Sequence, residues 1–283
     1  MTNLQRELDK LNLRCDAPQV LQDKDGVTTA RVTCDGASYV LKCFEKDEYR
    51  REIDNYRLLQ SLQIPTMQVI ASTDAALLLE DIDRSPVWRL GVEGDMDDLR
   101  VAEALAVWYR RLHEAGRAYV AAHGAGMYDE ADYFTRENLA LVRKKTGTQN
   151  AAVWTVLERD FDAIHHKLQA THRTLTYNDF YYTNLIVARN RSAAMMFDYN
   201  MLGKGIAYTD LHNVTWSLSD RAGEAFLSAY GGFDPQEAAL DAVVSHMVTL
   251  YMACQRESFP SWARESLQTI QTPPFLQRIE ALL

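Results

Sequence analysis

The run from Leu175 to Val187, LTYNDFYYTNLIV, and the run from Met195 to Asn200, MMFDYN, decide how this chain of 283 residues is read. Two apolar stretches, Leu185 to Ala188 and Ala193 to Phe197, flank the turn-forming Arg189, Asn190, Arg191 and Ser192, which predicts a short β-hairpin. Three short oxygen-bearing side chains, Asp179, Asn184 and Asp198, stand at loop positions beside those strands. Hard cations such as Mg2+ prefer oxygen ligands and commonly take one or two carboxylates together with substrate phosphates. A further carboxylate can orient a hydroxyl nucleophile and accept its proton. An Asp followed by an Asn five positions later is common by chance, so the weight of the reading falls on its surroundings.

Upstream, a short amphipathic helix (Leu4, Leu8, Leu11) precedes strands predicted at Pro18–Gln22, Thr29–Cys34 and Ser38–Phe44. Asp35 and Gly36 form a hairpin signal, because both tolerate positive φ. Asp47 is the expected cap of a helix running to about Leu62, with Ile53, Tyr56, Leu59 and Leu62 on one stripe, and strands follow at Thr66–Ala71 and Ala75–Glu80. From Asp95 long amphipathic helices take over, starting with Leu99, Ala102, Leu105, Ala106, Tyr109 and Leu112 at spacings of three and four. The pattern predicts an α+β protein with a small β-rich first lobe and a larger helical second lobe, the boundary falling between Asp81 and Gly94.

Composition narrows the function classes. Hydrophobic residues at 47% and charged residues at 24% are those of a globular protein, which excludes disordered and low-complexity classes. A net charge of -9 is the wrong sign for gripping nucleic acid, so any polyanionic ligand needs a local basic site or a metal ion. No apolar run approaches the length that spans a bilayer and the charged N-terminus lacks a signal-peptide core, so no membrane partner and a cytoplasmic location are expected. Cys15, Cys34, Cys43 and Cys254 show no CxxC spacing and are expected as reduced, small hydrophobes.

Order then adds meaning: a lysine in a strand, an acidic residue in the next helix, the Asp179–Asn184 loop, and Asp198 at a strand end. In this order the chain resembles the aminoglycoside phosphotransferase and choline kinase-like small-molecule kinases, relatives of the protein kinases, over about Val20 to Asp210. The resemblance implies a bilobal protein kinase-like fold, with residues 1–90 as a nucleotide-binding lobe including the hinge and 91–283 as a helical catalytic and substrate-binding lobe. It also implies ATP and Mg2+ as cofactors. Lys42, in YVLK, looks like the phosphate-binding lysine, with Glu52 as its partner. Backbone groups of Glu80 and Ile82 would meet the adenine edge; Leu79, Val40, Ile186 and Phe197 would border the ring, and Thr28 would donate to phosphate. The similarity assigns Asp179 as catalytic base, Asn184 and Asp198 as Mg2+ ligands, and Asp210 as a buried support of the catalytic loop. The implied reaction moves the γ-phosphate to a hydroxyl of a small molecule, with amino-alcohols, amino-sugars or aminoglycosides favoured.

Two departures stand out. Tyr177 occupies the place of the family's catalytic-loop histidine, and the loop after the first strand, Asp25 to Ala30, offers one glycine, Gly26. They motivate the alternative of a kinase-like binding or scaffold protein without phosphotransfer, and a protein kinase is a third option. His165, His166 and His172 read as a surface cluster, because their helical spacing does not converge on a metal. Tyr133, Phe134, Tyr181, Tyr182, Trp216, Tyr251 and Trp262 read mainly as core, although aromatic faces also suit a cationic ligand. The acidic groups Glu93, Asp95, Asp97, Asp98 and Asp129, Glu130, Asp132 read mainly as helix-start charges. Oligomeric state is not encoded in these features.

Overall fold

Two Asp-Gly pairs set the geometry of the N-terminal sheet. Asp25 and Gly26 lie at φ 57° and 88°, and Asp35 and Gly36 at φ 52° and 80°, the left-handed pairs that let two antiparallel strands turn in two residues. In this computed structural model, which describes residues 3–283, the chain opens with α1 (Asn3–Lys10). Then come β1 (Gln19–Lys24), β2 (Val27–Cys34), β3 (Ala37–Phe44), α2 (Asp47–Ser61), β4 (Val69–Ser72), β5 (Ala76–Glu80), β6 (Trp88–Leu90) and α3 (Leu99–His123). The remainder is α4 (Arg136–Lys145), α5 (Ala152–Ala170), β7 (Thr174–Thr176), β8 (Leu185–Ala188), β9 (Ala194–Met196), β10 (Gly203–Gly205), α6 (Ala207–Ser217), α7 (Asp220–Tyr230), α8 (Pro235–Cys254), α9 (Arg264–Thr269) and α10 (Pro273–Ala281). No helix among the described residues is long and apolar enough to cross a membrane.

Contacts divide the chain into two units. One takes in the chain up to Ala115 with Tyr177–Leu202 and Asn213–Gly231; the other holds Gly116–Thr176, Gly203–His212 and Gly232–Leu283. In the first, the antiparallel sheet runs β1-β2-β3-β5-β4, with Lys42 paired across to Thr29 on one side and Leu77 on the other. Strand alternation sends Ala30, Val32, Cys34, Leu41 and Cys43 to one face, where Leu4 and Leu8 of α1 cover them. Burying each of those two leucines contributes about 2 kcal/mol. Lys42 and Val40 thereby fall on the opposite face. The predicted hairpin is β8-β9, extended at its edge by β6. In the second unit, Phe134, Trp154, Leu157, Val243, Met247, Leu250 and Phe275 form the core of a helical assembly, and β7 pairs with β10.

The kinase-like α+β fold expected from the sequence is present, with several local corrections. Lys46, not Asp47, is the N-cap of α2, and Asp47 is its first helical residue, tied to Arg50 at 2.8 Å. Strands β6, β7 and β10 have three residues each, too short to show a period of two. Cys15 and Cys34 are joined as a disulfide rather than free, because Cys15 forms an antiparallel bridge with Cys34 across a separation of 19 residues. Cys43 and Cys254 are buried free thiols.

Candidate active site

Five of the expected site residues lie within the first unit, in two hydrogen-bonded groups, Lys42 with Glu52 and Asp198, and Asp179 with Asn184, linked by the Phe197 amide on the Asn184 carbonyl at 3.0 Å. The Lys42 ammonium lies 2.7 Å from Glu52 Oε2 and 3.0 Å from Asp198 Oδ1. Glu52 is fully buried on α2, next in sequence to the apolar stripe of Ile53, Tyr56 and Leu59. Burial by itself disfavours the Lys42 charge, but Glu52 and then Asp198 more than offset it and hold the ammonium protonated. Burial pushes the Glu52 carboxyl up to about 7, which Lys42 only partly opposes.

The loop that carries Asp179 and the turn that carries Asp198 are held by unusual backbone. Asn178 adopts φ 66° and Asp198 adopts φ 61°, both left-handed, a conformation for which Asn and Asp are the most tolerant non-glycine residues. Such conformations cost of order 1 kcal/mol and concentrate at functional sites. Asn184 Nδ2 donates to Asp179 Oδ2 at 3.1 Å and to the Asp179 carbonyl at 3.2 Å, which turns Asn184 Oδ1 away from Asp179. Asp179 stays exposed at the surface, yet its carboxyl is pushed up to about 6, first by partial withdrawal from water among its neighbours and then by the Asp198 charge, against the Asn184 amide and Lys42. Asp198 keeps 38% of its side chain exposed, enough for a ligand to reach it.

The remaining expected positions divide by exposure. Val40 and Phe197 are half-buried and Leu79 and Ile186 are buried, so the first two present open apolar surface. Val40 pairs with Leu79 and Tyr39 with Glu80 across the β3-β5 ladder. The Glu80 amide is already engaged with the Gln68 carbonyl at 3.0 Å, and its carboxylate accepts from the Gln68 amide at 2.8 Å. Ile82 opens a 3-10 turn directly after Asp81. Thr28 is buried and donates to Asp23 Oδ1 at 3.0 Å. Asp210 is buried in the first turn of α6, in the second unit.

Several supporting residues carried no signal in the sequence. Arg31 grips Asp81 at 2.7 Å and Asp83 at 2.5 Å, while Ser38 donates to Asp81 at 2.6 Å, fixing the segment after β5. Burial alone would raise the Asp81 carboxyl, but these partners lower it. A Cβ on Gly91 would come within 2.4 Å of the Tyr182 carbonyl, so only glycine fits beside the turn that carries Asn184. Asn55 Nδ2 donates to the Tyr199 carbonyl at 2.7 Å, next to Asp198. Tyr177, by contrast, was marked in the sequence by its place; it is fully buried and its hydroxyl donates to the Phe197 carbonyl.

Most of the acidic clusters are engaged in structure. Asp95 pairs with both Arg89 nitrogens at 2.7 and 2.5 Å. Asp98 accepts from the amides of Arg100 and Val101 at the start of α3, and Asp129 pairs with Arg173 at 3.1 Å. Glu130 differs: burial, then the charges of Asp210, Asp241 and Asp129, push it up to about 7, against the Tyr128 hydroxyl. Of the aromatic candidates, Phe134 is buried and Tyr133 stacks on Tyr251 at 5.2 Å, whereas Tyr181, Trp216 and Trp262 are exposed.

A protein-kinase-like lysine–glutamate pair joined to an Asp-Asn loop defines the class as a phosphotransferase fold. The model of the phosphotransferase enzyme family matches residues 19–241, and the chain belongs to that family. Solved structures agree on the fold. A macrolide 2'-phosphotransferase from Brachybacterium faecium superposes with a TM-score of 0.61 at 18% identity, covering 94% of this chain and 96% of its own. A choline/ethanolamine kinase family protein from Mesorhizobium loti gives 0.61 at 14% identity, covering 94% and 92%. A spectinomycin phosphotransferase in complex with ADP and spectinomycin gives 0.61 at 12% identity, covering 100% and 98%. No curated protein matches the chain in sequence.

Proposed function

We propose that this protein is an ATP- and Mg2+-dependent phosphotransferase that moves the γ-phosphate to a hydroxyl of a small molecule, in the cytoplasm where ATP is supplied. The observation that carries the reading is the Lys42 ammonium, fixed by Glu52 and in contact with Asp198 at 3.0 Å. Phosphoryl transfer runs through a loose transition state, so a protein contributes mainly positioning and offset of charge. Lys42 holds the α- and β-phosphates, while Asp179 orients the acceptor hydroxyl and takes its proton. Val40, Leu79, Ile186 and Phe197 border the adenine and the backbone of Glu80 and Ile82 meets its edge, whereas Thr28, paired with Cys43 and donating to Asp23, turns its side chain to the face opposite Lys42. Residues 1–90 serve nucleotide binding and 91–283 serve catalysis and acceptor binding.

The donors fit a hard divalent cation. Asp198 Oδ2 lies outside the Lys42 contact, and Asn184 Oδ1 is turned away from the amide's own hydrogen bonds. Asp198 and Asn184 would hold the ion, which when bound offsets phosphate charge. Amino-alcohols, amino-sugars and aminoglycosides head the acceptors, in line with neighbours named for choline/ethanolamine and spectinomycin. A screen of such compounds with ATP and Mg2+, read as phosphorylated product and ADP, is expected to yield an acceptor. Absence of Mg2+-dependent ATP binding would instead favour the scaffold reading, and phosphorylated protein without phosphorylated small molecules would favour a protein kinase.

A further inference from the structure

We infer that a basic cavity in the second unit, between the end of α3 and the β7-β10 ladder, is a binding site for a phosphomonoester. The inference does not rest on the proposed phosphotransferase reading and concerns a ligand other than the nucleotide.

The cavity has a volume of about 720 Å³ and is lined by Arg117 of α3, by His172 and Arg173 in the lead into β7, and by Lys204 of β10. No carboxylate side chain lines it, in a chain whose net charge is -9. Among the described residues, the side chains of Arg117, His172 and Lys204 have no hydrogen-bond or ion-pair partner. Arg31, Arg89 and Arg143 show the contrast, each being paired with a carboxylate. A basic group left unpaired in an acidic chain is the local site that an anionic ligand needs.

Close backbone packing brings these groups together. Gly116 lets α3 lie directly on β7: a Cβ there would stand 2.5 Å from the Leu175 amide nitrogen and 2.7 Å from the Leu175 Cβ. Arg117 is the next residue. Lys204 pairs with Leu175 across the ladder, and directly opposed residues share a face, so the lysine lies on the side that α3 covers. Its amide donates to the Tyr128 carbonyl at 2.7 Å, which fixes the strand beneath it. Arg173 is fixed as well, its Nε donating to Asp129 Oδ2 at 3.1 Å and its Nη1 to the Thr171 carbonyl at 2.9 Å.

Charge and size choose the ligand. Asp129 cancels Arg173, which leaves Arg117 and Lys204 as two uncompensated cations, and a phosphate monoester carries about two negative charges at neutral pH. The planar guanidinium donates to two phosphate oxygens at once, and the lysine adds a point charge. Inorganic phosphate would leave most of a cavity of this size to water. Ala118, Ala121 and Ala125 supply a methyl wall for the organic body that a monoester carries.

Calorimetric titration in EDTA and about 0.15 M NaCl, where weak surface attraction is screened, tests this with glucose 6-phosphate, glycerol 3-phosphate, inorganic phosphate and glucose. The proteins are the wild type, Arg117→Gln, Lys204→Gln and the double variant, with melting curves for each. Wild type is expected to bind at least one of the two monoesters, more tightly than inorganic phosphate, and not to bind glucose. Each single substitution should weaken the monoester about tenfold, as expected for one charge-assisted hydrogen bond, and the double about a hundredfold. Because neither side chain has a partner to lose, the variants should melt within about 2 °C of the wild type. Failure of both monoesters to bind the wild type overturns the inference, and so does wild-type affinity in the double variant, which would put the phosphate elsewhere. Inorganic phosphate binding as tightly as both monoesters overturns the assignment of an organic body. Should Lys204→Gln not fold, Arg117→Gln decides alone: unchanged affinity overturns the inference and a tenfold loss supports it.

Discussion

Replacing Glu130 by glutamine should stabilise the protein above neutral pH and do little near pH 5. Burial, followed by the charges of Asp210, Asp241 and Asp129, raises the Glu130 carboxyl from 4.5 to about 7, while the Tyr128 hydroxyl at 3.4 Å opposes the shift. The folded protein therefore holds this proton more tightly than the unfolded chain does. Between pH 4.5 and about 7 it binds more protons, so stability is lost as pH rises through that window. The full shift corresponds to ~3 kcal/mol, and because Glu130 keeps part of its surface, solvent screening reduces this to ~2 kcal/mol. For a chain of this size that is a gain of ~3 °C in Tm for Glu130→Gln at pH 8, and about a quarter of it at pH 5. Thermal melts of both proteins at the two pH values read the difference directly. Equal gains at pH 5 and pH 8, or a loss at pH 8, would refute the assignment of a buried, like-charge-loaded carboxylate.

Three further outcomes follow from the site and the sheet. Asp179→Asn should lower kcat by ~10²–10⁴-fold while leaving the Kd for ATP nearly unchanged, measured on whichever acceptor the screen yields; near-normal turnover would remove Asp179 as the base. Asp198→Ala should abolish the difference between ATP affinity in Mg2+ and in EDTA, and a retained difference would place the ion elsewhere. The Cys15–Cys34 disulfide closes a loop spanning 19 residues, so a reducing agent should destabilise the native state by about 3 kcal/mol, and Cys34→Ser should match it without further loss on reduction. Unchanged melting in reductant would mean the bond contributes nothing.

The legible parts of the sequence were those in which one residue type solves one local problem. Asp35-Gly36 marks a hairpin because few other pairs accept two positive φ values in succession, and the stripe of Ile53, Tyr56 and Leu59 marks a buried helix face. The Lys42, Glu52, Asp179, Asn184 and Asp198 set was found from order and resemblance, not from local pattern. What stayed hidden depends on contacts between distant segments. Arg31 and Asp81 are 50 residues apart, and Asn55 and Tyr199 are 144 apart, so neither pair leaves a periodic trace. Gly91 looks like any loop glycine until the Tyr182 carbonyl stands beside it. Cys15 and Cys34 misled for a related reason: compartment argues for free thiols, whereas strand pairing sets them side by side.

Charge explains why an acidic chain suits a polyphosphate ligand only in company. Around the candidate site one ammonium, Lys42, faces three carboxylates, those of Glu52, Asp179 and Asp198. The raised Glu52 and Asp179 values are the physical signature of burial and of that surplus. An ATP tail entering alone would add like charge to a cluster already short of cations, and the tight Asp25-Gly26 turn, unlike a long glycine-rich loop, brings few backbone amides to offset it. On the proposed reading, a divalent ion held by Asp198 and Asn184 would offset that surplus beside Lys42. The proposed function thus predicts that ATP binding as well as chemistry needs the ion, and ATP affinity in Mg2+ against EDTA, measured before any acceptor is known, discriminates most sharply between an active phosphotransferase and a scaffold that only keeps its fold.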